Sequence, residues 1–354
     1  MLRLRALAFE RPTSVQDLTE RLTQQGDAAR LLAGGTDLMP NLKLGTVQAA
    51  TLLSLSALPS LSGIRRVEAA PLGSHDAATP QQALELGAAT TLDVIANHPL
   101  VQRELPALAA AVARIASPQI RNRATLAGNL CVDTRCRYIN QSELFRVALG
   151  GCLKSHGSEC HVVPGGQNCV AALSCDTAPV LIALDAVLAL TGGADGDRTL
   201  PLADFYNTDG LSHTNLRRGE VIVAVRVPVQ RPDVLVTYRK WARRHSIDFP
   251  LVSVALRLET ETHGETTRLT GGQLVVGALG PRPRIVQLKA FVGRDLDATL
   301  ATALGALAVK RCRPLPNLPY DETYRRRRLG VETQRAVMAL IVMGPAALPA
   351  RHGA

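Results

Sequence analysis

The N-terminal part of the chain combines one amphipathic segment with several short apolar runs. In SVQDLTERLTQQG, Val15, Leu18 and Leu22 fall on one face of a helix that begins after Ser14 and ends at Gly26. ARLLAGG then reads as a buried strand that leads into a glycine turn. TLLSLSAL and GIRRVEAA predict two further strands, and DVIANHPLV predicts a short helix. Strands and helices are therefore mixed along this part of the chain.

The second half of the chain has longer elements. ELPALAAAVARIAS has helical spacing and stops at Ser117, because a residue before proline avoids helical backbone angles. APVLIALDAVLALT suits either one helix or a helix followed by a strand. The proline-containing connection VPVQRPDV (227–234) indicates a domain boundary. Beyond it, VSVALRLE and LTGGQLVVGALG predict strands, and LDATLATALGALAVKRC and YRRRRLGVETQRAVMALIVM predict helices, the pattern of a separate α+β domain.

Composition narrows the possible classes of protein. A chain of 354 residues suggests two or three domains. Aromatic residues make up only 3%, so the core must be built mainly from Leu, Ala and Val. The formal charge of +10 is spread along the chain, with YRRRRLG (324–330) as the one dense basic run. Because few aromatics are present for base stacking, we expect no nucleic-acid binding and interpret the run as a solvated helix face or a contact with an acidic partner protein.

No segment has the length of a signal peptide or of a membrane span, which predicts a cytoplasmic protein without membrane contact. In a reducing compartment, clustered cysteines indicate metal or redox chemistry more than structural disulfides.

Two glycine-containing loops are candidates for binding a phosphate group. LAGGTDL (32–38) follows a predicted strand, and TLAGN (125–129) has a similar composition. Glycines let the backbone come close to a ligand, and exposed amides can bind phosphate oxygens. Neither loop matches a P-loop or the GxGxxG fingerprint, and a tight turn without a ligand is the competing interpretation.

The order of these segments resembles a known family. AGGTDLMPNLKLG, followed about eighty residues later by SPQIRNRATLAGNL, is similar to the FAD-binding subunit of the molybdenum hydroxylase family, which includes xanthine dehydrogenase and carbon monoxide dehydrogenase. The resemblance continues in SCDTAPVLIALDAVL (174–188), YRKWARRHSIDFPLVSVAL (238–256) and VGALGPRPRIV (276–286). It implies an α+β protein with a two-part FAD-binding domain at 1–227, a small α+β C-terminal domain at 228–342 and a flexible tail at 343–354.

The resemblance also implies an FAD site. The two loops would hold the FAD pyrophosphate from two sides, while Asp176 would contact the flavin and Lys240 would lie near it. Ala127 departs from the family, which usually has glycine there. The alternatives are that Asp176 caps the following helix and that Lys240 is an ordinary exposed strand lysine. The predicted FAD-binding residues are Leu32, Ala33, Gly34, Gly35, Thr36, Asp37, Leu38, Thr125, Gly128, Asn129, Asp176 and Lys240.

The segment from residue 133 to residue 169 contains Cys136, Cys152, Cys160 and Cys169. Their separations of 16, 8 and 9 residues are too long for the CxxC knuckles of zinc ribbons. Four thiolates can hold an iron–sulfur cluster from loop positions if the fold brings them together. The alternatives are a zinc site that uses three cysteines with His156 or His161, or two disulfides.

This segment resembles one branch of the family, the beta subunit of 4-hydroxybenzoyl-CoA reductase. The resemblance implies that residues 131–172 are an inserted loop in which Cys136, Cys152, Cys160 and Cys169 bind one 4Fe-4S cluster. Cys131, Cys175 and Cys312 match no ligand position and are predicted to be buried thiols.

The resemblance implies an electron-transfer subunit without catalytic residues of its own. It would pass electrons from a ferredoxin-like donor through the cluster and FAD toward a 2Fe-2S subunit and a molybdenum-cofactor subunit, in a dimer of heterotrimers. The complex would reductively remove the 4-hydroxyl group of 4-hydroxybenzoyl-CoA, giving benzoyl-CoA. The alternatives are the FAD subunit of another molybdenum hydroxylase or dehydrogenase, acting on an aromatic or heterocyclic substrate, and a stand-alone redox carrier.

Overall fold

The fold is taken from a computed structural model that describes residues 4–69, 81–194 and 196–343. Apart from Met343, the predicted tail lies outside the described residues. No helix in these three ranges is both long and apolar enough to cross a membrane.

A small parallel sheet begins the chain. Its strands are β1 (Ala8–Glu10), β2 (Ala29–Leu32) and β3 (Thr51–Ser54), in the order β1-β3-β2. Helix α1 (Val15–Gln25) connects β1 to β2, and α2 (Leu38–Leu44) connects β2 to β3. The predicted cap is confirmed, since the Ser14 side chain accepts a hydrogen bond from the Asp17 amide (3.0 Å). The left-handed Gly26 (φ 53°) ends α1 where the sequence predicts.

The second sheet is antiparallel and five-stranded. It contains β4 (Ile64–Ala69), β5 (Gln81–Gly87), β6 (Val187–Gly192), β7 (Arg198–Pro201) and β8 (Glu220–Pro228), in the order β4-β5-β8-β6-β7. The helices between β5 and β6 are α3 (Leu92–Asn97), α4 (Pro99–Glu104), α5 (Pro106–Ala113), α6 (Pro118–Arg121), α7 (Leu126–Leu130), α8 (Glu143–Ala148) and α9 (Thr177–Ala183).

Leucine, alanine and valine fill most of the core between these helices and the second sheet, as the composition predicts. Aromatic side chains enter its buried part only at Phe205, Tyr206 and Tyr238 among the described residues. Residues 178–191, whose pattern suits either one helix or a helix followed by a strand, belong to α9 and then β6. Asp185 has a left-handed backbone (φ 55°) between α9 and β6, which a continuous helix does not allow.

The C-terminal sheet is also antiparallel. It contains β9 (Val234–Trp241), β10 (Val252–His263), β11 (Thr266–Gly277) and β12 (Arg284–Gln287), in the order β12-β11-β10-β9. Helices α10 (Ala298–Arg311) and α11 (Glu322–Met343) pack together, and apolar residues of both share a buried cluster with this sheet. The fold is thus α+β, as predicted.

The basic run at the start of α11 is not the solvated face that we expected. Arg325 is fully buried, and its guanidinium donates to the carbonyl oxygens of Leu251 (3.1 Å), Leu315 (2.7 Å) and Ala278 (2.7 Å). Burial lowers the pKa of Arg325 to about 10, which keeps it charged at neutral pH. Of the four arginines of the run, only Arg327 is exposed. Arg325 therefore ties α11 to strand ends and loops that lie far away in sequence.

Replacing Arg325 with methionine is expected to lower the free energy of unfolding by at least about 2 kcal/mol, because buried carbonyls lose their donors. Urea denaturation measures the change. Arg327→Met is the matched control from the same run, and it should stay within about 0.5 kcal/mol of the wild type. Equal effects of the two substitutions would contradict a structural role for Arg325.

Candidate functional site

The first glycine loop lies between β2 and α2 and touches the turn before α7. A Cβ atom built on Gly34 would lie only 1.9 Å from the backbone oxygen of Arg123, so no other residue fits there without movement of the backbone. Gly35 has a left-handed backbone (φ 71°). Leu32 ends β2, Leu38 begins α2, and Ala33, Thr36 and Asp37 lie between them, all half-buried. The structure thus places the first loop against the turn that leads directly into the second predicted loop.

The second glycine segment forms the start of α7. The Thr125 hydroxyl accepts a hydrogen bond from the Gly128 amide (3.2 Å) and caps the helix. The Asn129 side-chain oxygen accepts from the Thr177 hydroxyl (2.7 Å), which ties the segment to α9. Ala127 packs against the main hydrophobic core, so its methyl group is accommodated within the protein. The Thr125 and Asn129 side chains therefore have structural partners within the protein.

Asp37 connects the first loop to the start of the cysteine segment. Its carboxylate accepts from the Asn41 side chain (3.0 Å) and the Asp133 amide (3.3 Å), and it lies 3.8 Å from the Arg135 guanidinium. Arg135 also stacks on the ring of Phe249, 4.1 Å from its centroid. Burial raises the pKa of Asp37, against the lowering effect of the Asp133 amide and Arg135.

Asp176 and Lys240 form a buried ion pair, with the Lys240 ammonium 3.0 Å from the carboxylate. Asp176 also accepts from the Tyr238 hydroxyl (2.6 Å), and Lys240 also donates to the Arg114 carbonyl (3.1 Å). Burial raises the pKa of Asp176, while Lys240 and Tyr238 oppose that shift. The pair joins the start of α9 to β9.

The ion pair bears on the two alternatives for these residues, namely helix capping by Asp176 and solvent exposure of Lys240. Asp176 does precede α9, but its side chain makes no capping bond. Lys240 is buried at 7% exposure, so the expectation of an ordinary exposed lysine is wrong. The partners Tyr238 and Arg114 were not predicted from the sequence, because they are 62 and 126 residues away from the groups they bind. Flavin contact by Asp176 and Lys240 stays a prediction.

The four cysteines predicted as ligands line one small cavity. Cys136, Cys160 and Cys169 are buried and Cys152 is half-buried. Apart from α8, the chain between residues 133 and 169 has no helix or strand, so the cavity is enclosed by loops. Burial raises the pKa of the Cys136 thiol to about 11 and raises that of Cys169. Binding of a metal centre would therefore release protons from these thiols.

The structure bears on the two other interpretations of the cysteine segment, a zinc site and two disulfides. All seven cysteines are unpaired. No group of three or more His, Cys, Asp or Glu side chains converges on one point in the described parts of the chain, as a single zinc ion requires. His161 lines the cavity, but its Nε2 contacts the Gly151 carbonyl (2.5 Å), and His156 is exposed. The four thiols are the donor type that iron–sulfur centres use, and the cluster stays a prediction.

The three remaining cysteines differ from one another. Cys175 and Cys312 are buried, as predicted. Cys131 is exposed as a residue, but its thiol lies in a buried environment that raises the thiol pKa to about 12. It follows the last residue of α7 and lies between two residues of the main core, Leu130 and Val132.

The α+β fold and the paired glycine loops are compatible with a cofactor-binding protein, and the comparisons identify its family. The family described as "FAD binding domain in molybdopterin dehydrogenase" matches residues 5–230. The FAD-binding subunit PaoB of an Escherichia coli K12 aldehyde oxidoreductase is 32% identical over 269 residues, covering 74% of this chain and 80% of that protein. The carbon monoxide dehydrogenase medium chain of Hydrogenophaga pseudoflava is 29% identical over 335 residues, covering 94% and 96%.

Solved structures agree with this result. A carbon monoxide dehydrogenase from Hydrogenophaga pseudoflava superimposes with a TM-score of 0.73 at 25% identity, covering 96% of this chain and 99% of that one. Quinoline 2-oxidoreductase from Pseudomonas putida 86 gives 0.71 at 23% identity, covering 95% and 97%, and supports the fold alone. The chain belongs to the FAD-binding subunits of the molybdenum hydroxylase family. The narrower likeness to 4-hydroxybenzoyl-CoA reductase, and the iron–sulfur centre, stay predictions.

Proposed function

We propose that this chain is the flavin and iron–sulfur electron-transfer subunit of a molybdenum-containing hydroxylase or dehydrogenase. The observation that carries the proposal is the cavity lined by Cys136, Cys152, Cys160 and Cys169, next to a segment that is hydrogen-bonded to the first glycine loop. A flavin exchanges one or two electrons, and an iron–sulfur cluster exchanges one. Holding both groups lets one chain connect one-electron carriers to two-electron chemistry.

The residues divide into two binding sets. Backbone amides of residues 32–38 and of the second glycine segment would hold the FAD pyrophosphate. Gly34 lets the first loop lie against Arg123, just before the second segment. The four cysteines would hold a 4Fe-4S cluster as thiolates. Asp176 and Lys240 would keep α9 and β9 in place beside the flavin.

The substrate reaction is proposed to occur on a partner. The relatives are called FAD-binding subunit and medium chain. A molybdenum-cofactor subunit and a 2Fe-2S subunit are the proposed partners, in a dimer of heterotrimers located in the cytoplasm. The names of the relatives, which include aldehyde oxidoreductase, carbon monoxide dehydrogenase and nicotine 6-hydroxylase, favour an oxidation, and we propose an aromatic or heterocyclic substrate.

A second candidate is the reductive dehydroxylation of 4-hydroxybenzoyl-CoA to benzoyl-CoA. The cysteine spacing of 16, 8 and 9 residues favours it, through the resemblance to that reductase. In this case a ferredoxin-like donor would deliver electrons to the cysteine segment, and they would move toward the molybdenum subunit.

The deciding experiment is purification of the complex with its natural partners, followed by measurement of flavin, iron, sulfide and molybdenum. Assays with reduced donor plus 4-hydroxybenzoyl-CoA, and with aromatic aldehydes or heterocycles plus an electron acceptor, separate the two reactions. Isolation as a monomer that never associates with a molybdenum subunit would support a stand-alone redox carrier instead.

Replacing Cys152 with serine is expected to remove the iron and sulfide of the inserted centre and to leave FAD bound, since the glycine loops are untouched. Metal analysis and the flavin absorption spectrum measure both. Cys312→Ser is the control, because Cys312 is buried in the C-terminal core and does not line the cavity. Unchanged iron content in Cys152→Ser would overturn the assignment of the ligands.

A further inference from the structure

Lys154 is a buried cation in the middle of the cysteine segment. Its side chain is 8% exposed. The ammonium donates to the Asp133 carboxylate (2.5 Å), the Thr134 hydroxyl (2.5 Å) and the Gly210 carbonyl (3.0 Å). The Thr134 carbonyl is a fourth, more distant acceptor at 3.3 Å. The acceptors together use all three protons of the ammonium, so its position is fixed and its charge is held away from water.

The charge of Lys154 lies beside the proposed ligands. Lys154 lines the same cavity as the four cysteines. Its partner Gly210 donates its amide to the Cys169 carbonyl (2.7 Å), and a Cβ atom on Gly210 would lie 3.0 Å from the Cys169 sulfur. Lys154 thus lies in the same cavity as the cysteines and is linked through Gly210 to the backbone of Cys169.

Asp133, the carboxylate that pairs with Lys154, also links the cysteine segment to the first glycine loop. Asp133 is the only carboxylate that forms an ion pair with Lys154 among the described residues. The backbone amide of the same residue donates to Asp37 in the first glycine loop (3.3 Å). Lys154, Asp133 and Asp37 therefore form one continuous hydrogen-bonded path from the cysteine cavity to that loop.

We propose that the fixed positive charge of Lys154 raises the reduction potential of the centre bound by the four cysteines. The negative charge of Asp133 lowers that potential. The inference rests on the proposed iron–sulfur centre. Reduction adds one electron to a group that already carries four thiolates. A nearby cation stabilises the reduced form, a nearby carboxylate destabilises it, and water screens neither charge well in a buried site.

The opposite signs of the two charges provide the test. The experiment is a redox titration of the full complex with dithionite as the one-electron reductant, followed by electron paramagnetic resonance. Lys154→Met is expected to shift the midpoint potential of the inserted centre to more negative values, and Asp133→Asn to more positive values. Lys154→Arg keeps the charge and should stay near the wild-type potential. Lys310→Met, on the exposed surface of α10, is the control for loss of one positive charge elsewhere.

Each outcome has a defined meaning. A loss of packing alone would not move the two potentials in opposite directions. Shifts of the same sign, or a wild-type potential in Lys154→Met with full iron content, would overturn the role of Lys154 and leave the cluster standing. Absence of iron from the wild-type complex would instead remove the proposed centre, and this inference with it. If Lys154→Met does not fold, the positive shift in Asp133→Asn still tests the electrostatic argument.

Discussion

Substituting Gly34 by alanine is expected to give a folded protein that is purified without FAD. The added Cβ would lie 1.9 Å from the Arg123 backbone oxygen, a contact that cannot exist, so the two glycine loops must move apart. If both loops bind the same pyrophosphate, their separation removes half of the contacts at once. Flavin absorbance per chain, together with titration of the apoprotein with FAD, measures the effect, which we expect to be complete loss at micromolar FAD.

The control for this substitution is Gly280→Ala. A Cβ on Gly280 would meet nothing within 4 Å, so this variant should keep its FAD. Circular dichroism of both variants shows whether the chain folds. A Gly34→Ala protein with a full complement of FAD would mean that the loops are tight turns and do not bind the cofactor.

Replacing Lys240 with methionine is expected to lower the free energy of unfolding by about 3–5 kcal/mol, because it leaves the Asp176 carboxylate buried without its cation. The two side chains are only 3% and 4% exposed, so water cannot replace the lost partner. Denaturant unfolding followed by fluorescence measures the loss. The FAD content of the variant separately tests whether Lys240 also contacts the flavin.

A double-mutant cycle distinguishes the loss of the ion pair from the loss of packing. Adding Asp176→Asn to Lys240→Met removes the unpaired charge and should recover part of the stability. Arg244→Met breaks the exposed pair with Asp248, in which Arg244 is 68% exposed, and should cost less than about 1 kcal/mol. Equal losses for the exposed and the buried pair would refute the argument from burial.

Local signals predicted many elements and their ends. The Ser14 cap and Gly26 bound α1, because these interactions involve residues within one turn of each other. The predicted helix end at Ser117 is less accurate, because α5 ends at Ala113 and Ser117 instead caps α6. The pattern could not separate α9 from β6, because a short apolar run suits a helix and a strand equally. The sequence pattern also gave the wrong environment for Arg325, because a dense basic run is typical of a solvent-exposed surface.

The candidate site was likewise predicted from the sequence only in part. The sequence by itself determined the two glycine loops, the four spaced cysteines and the family, because these depend on residue type and order along the chain. Only the tertiary structure decided that Gly34 touches Arg123, that Asp176 pairs with Lys240, and that Lys154 shares a cavity with the cysteines. It also decided that Cys131 is exposed. The physical reason is that burial and pairing depend on groups brought together from distant parts of the chain, and no local pattern of residues encodes which distant group arrives.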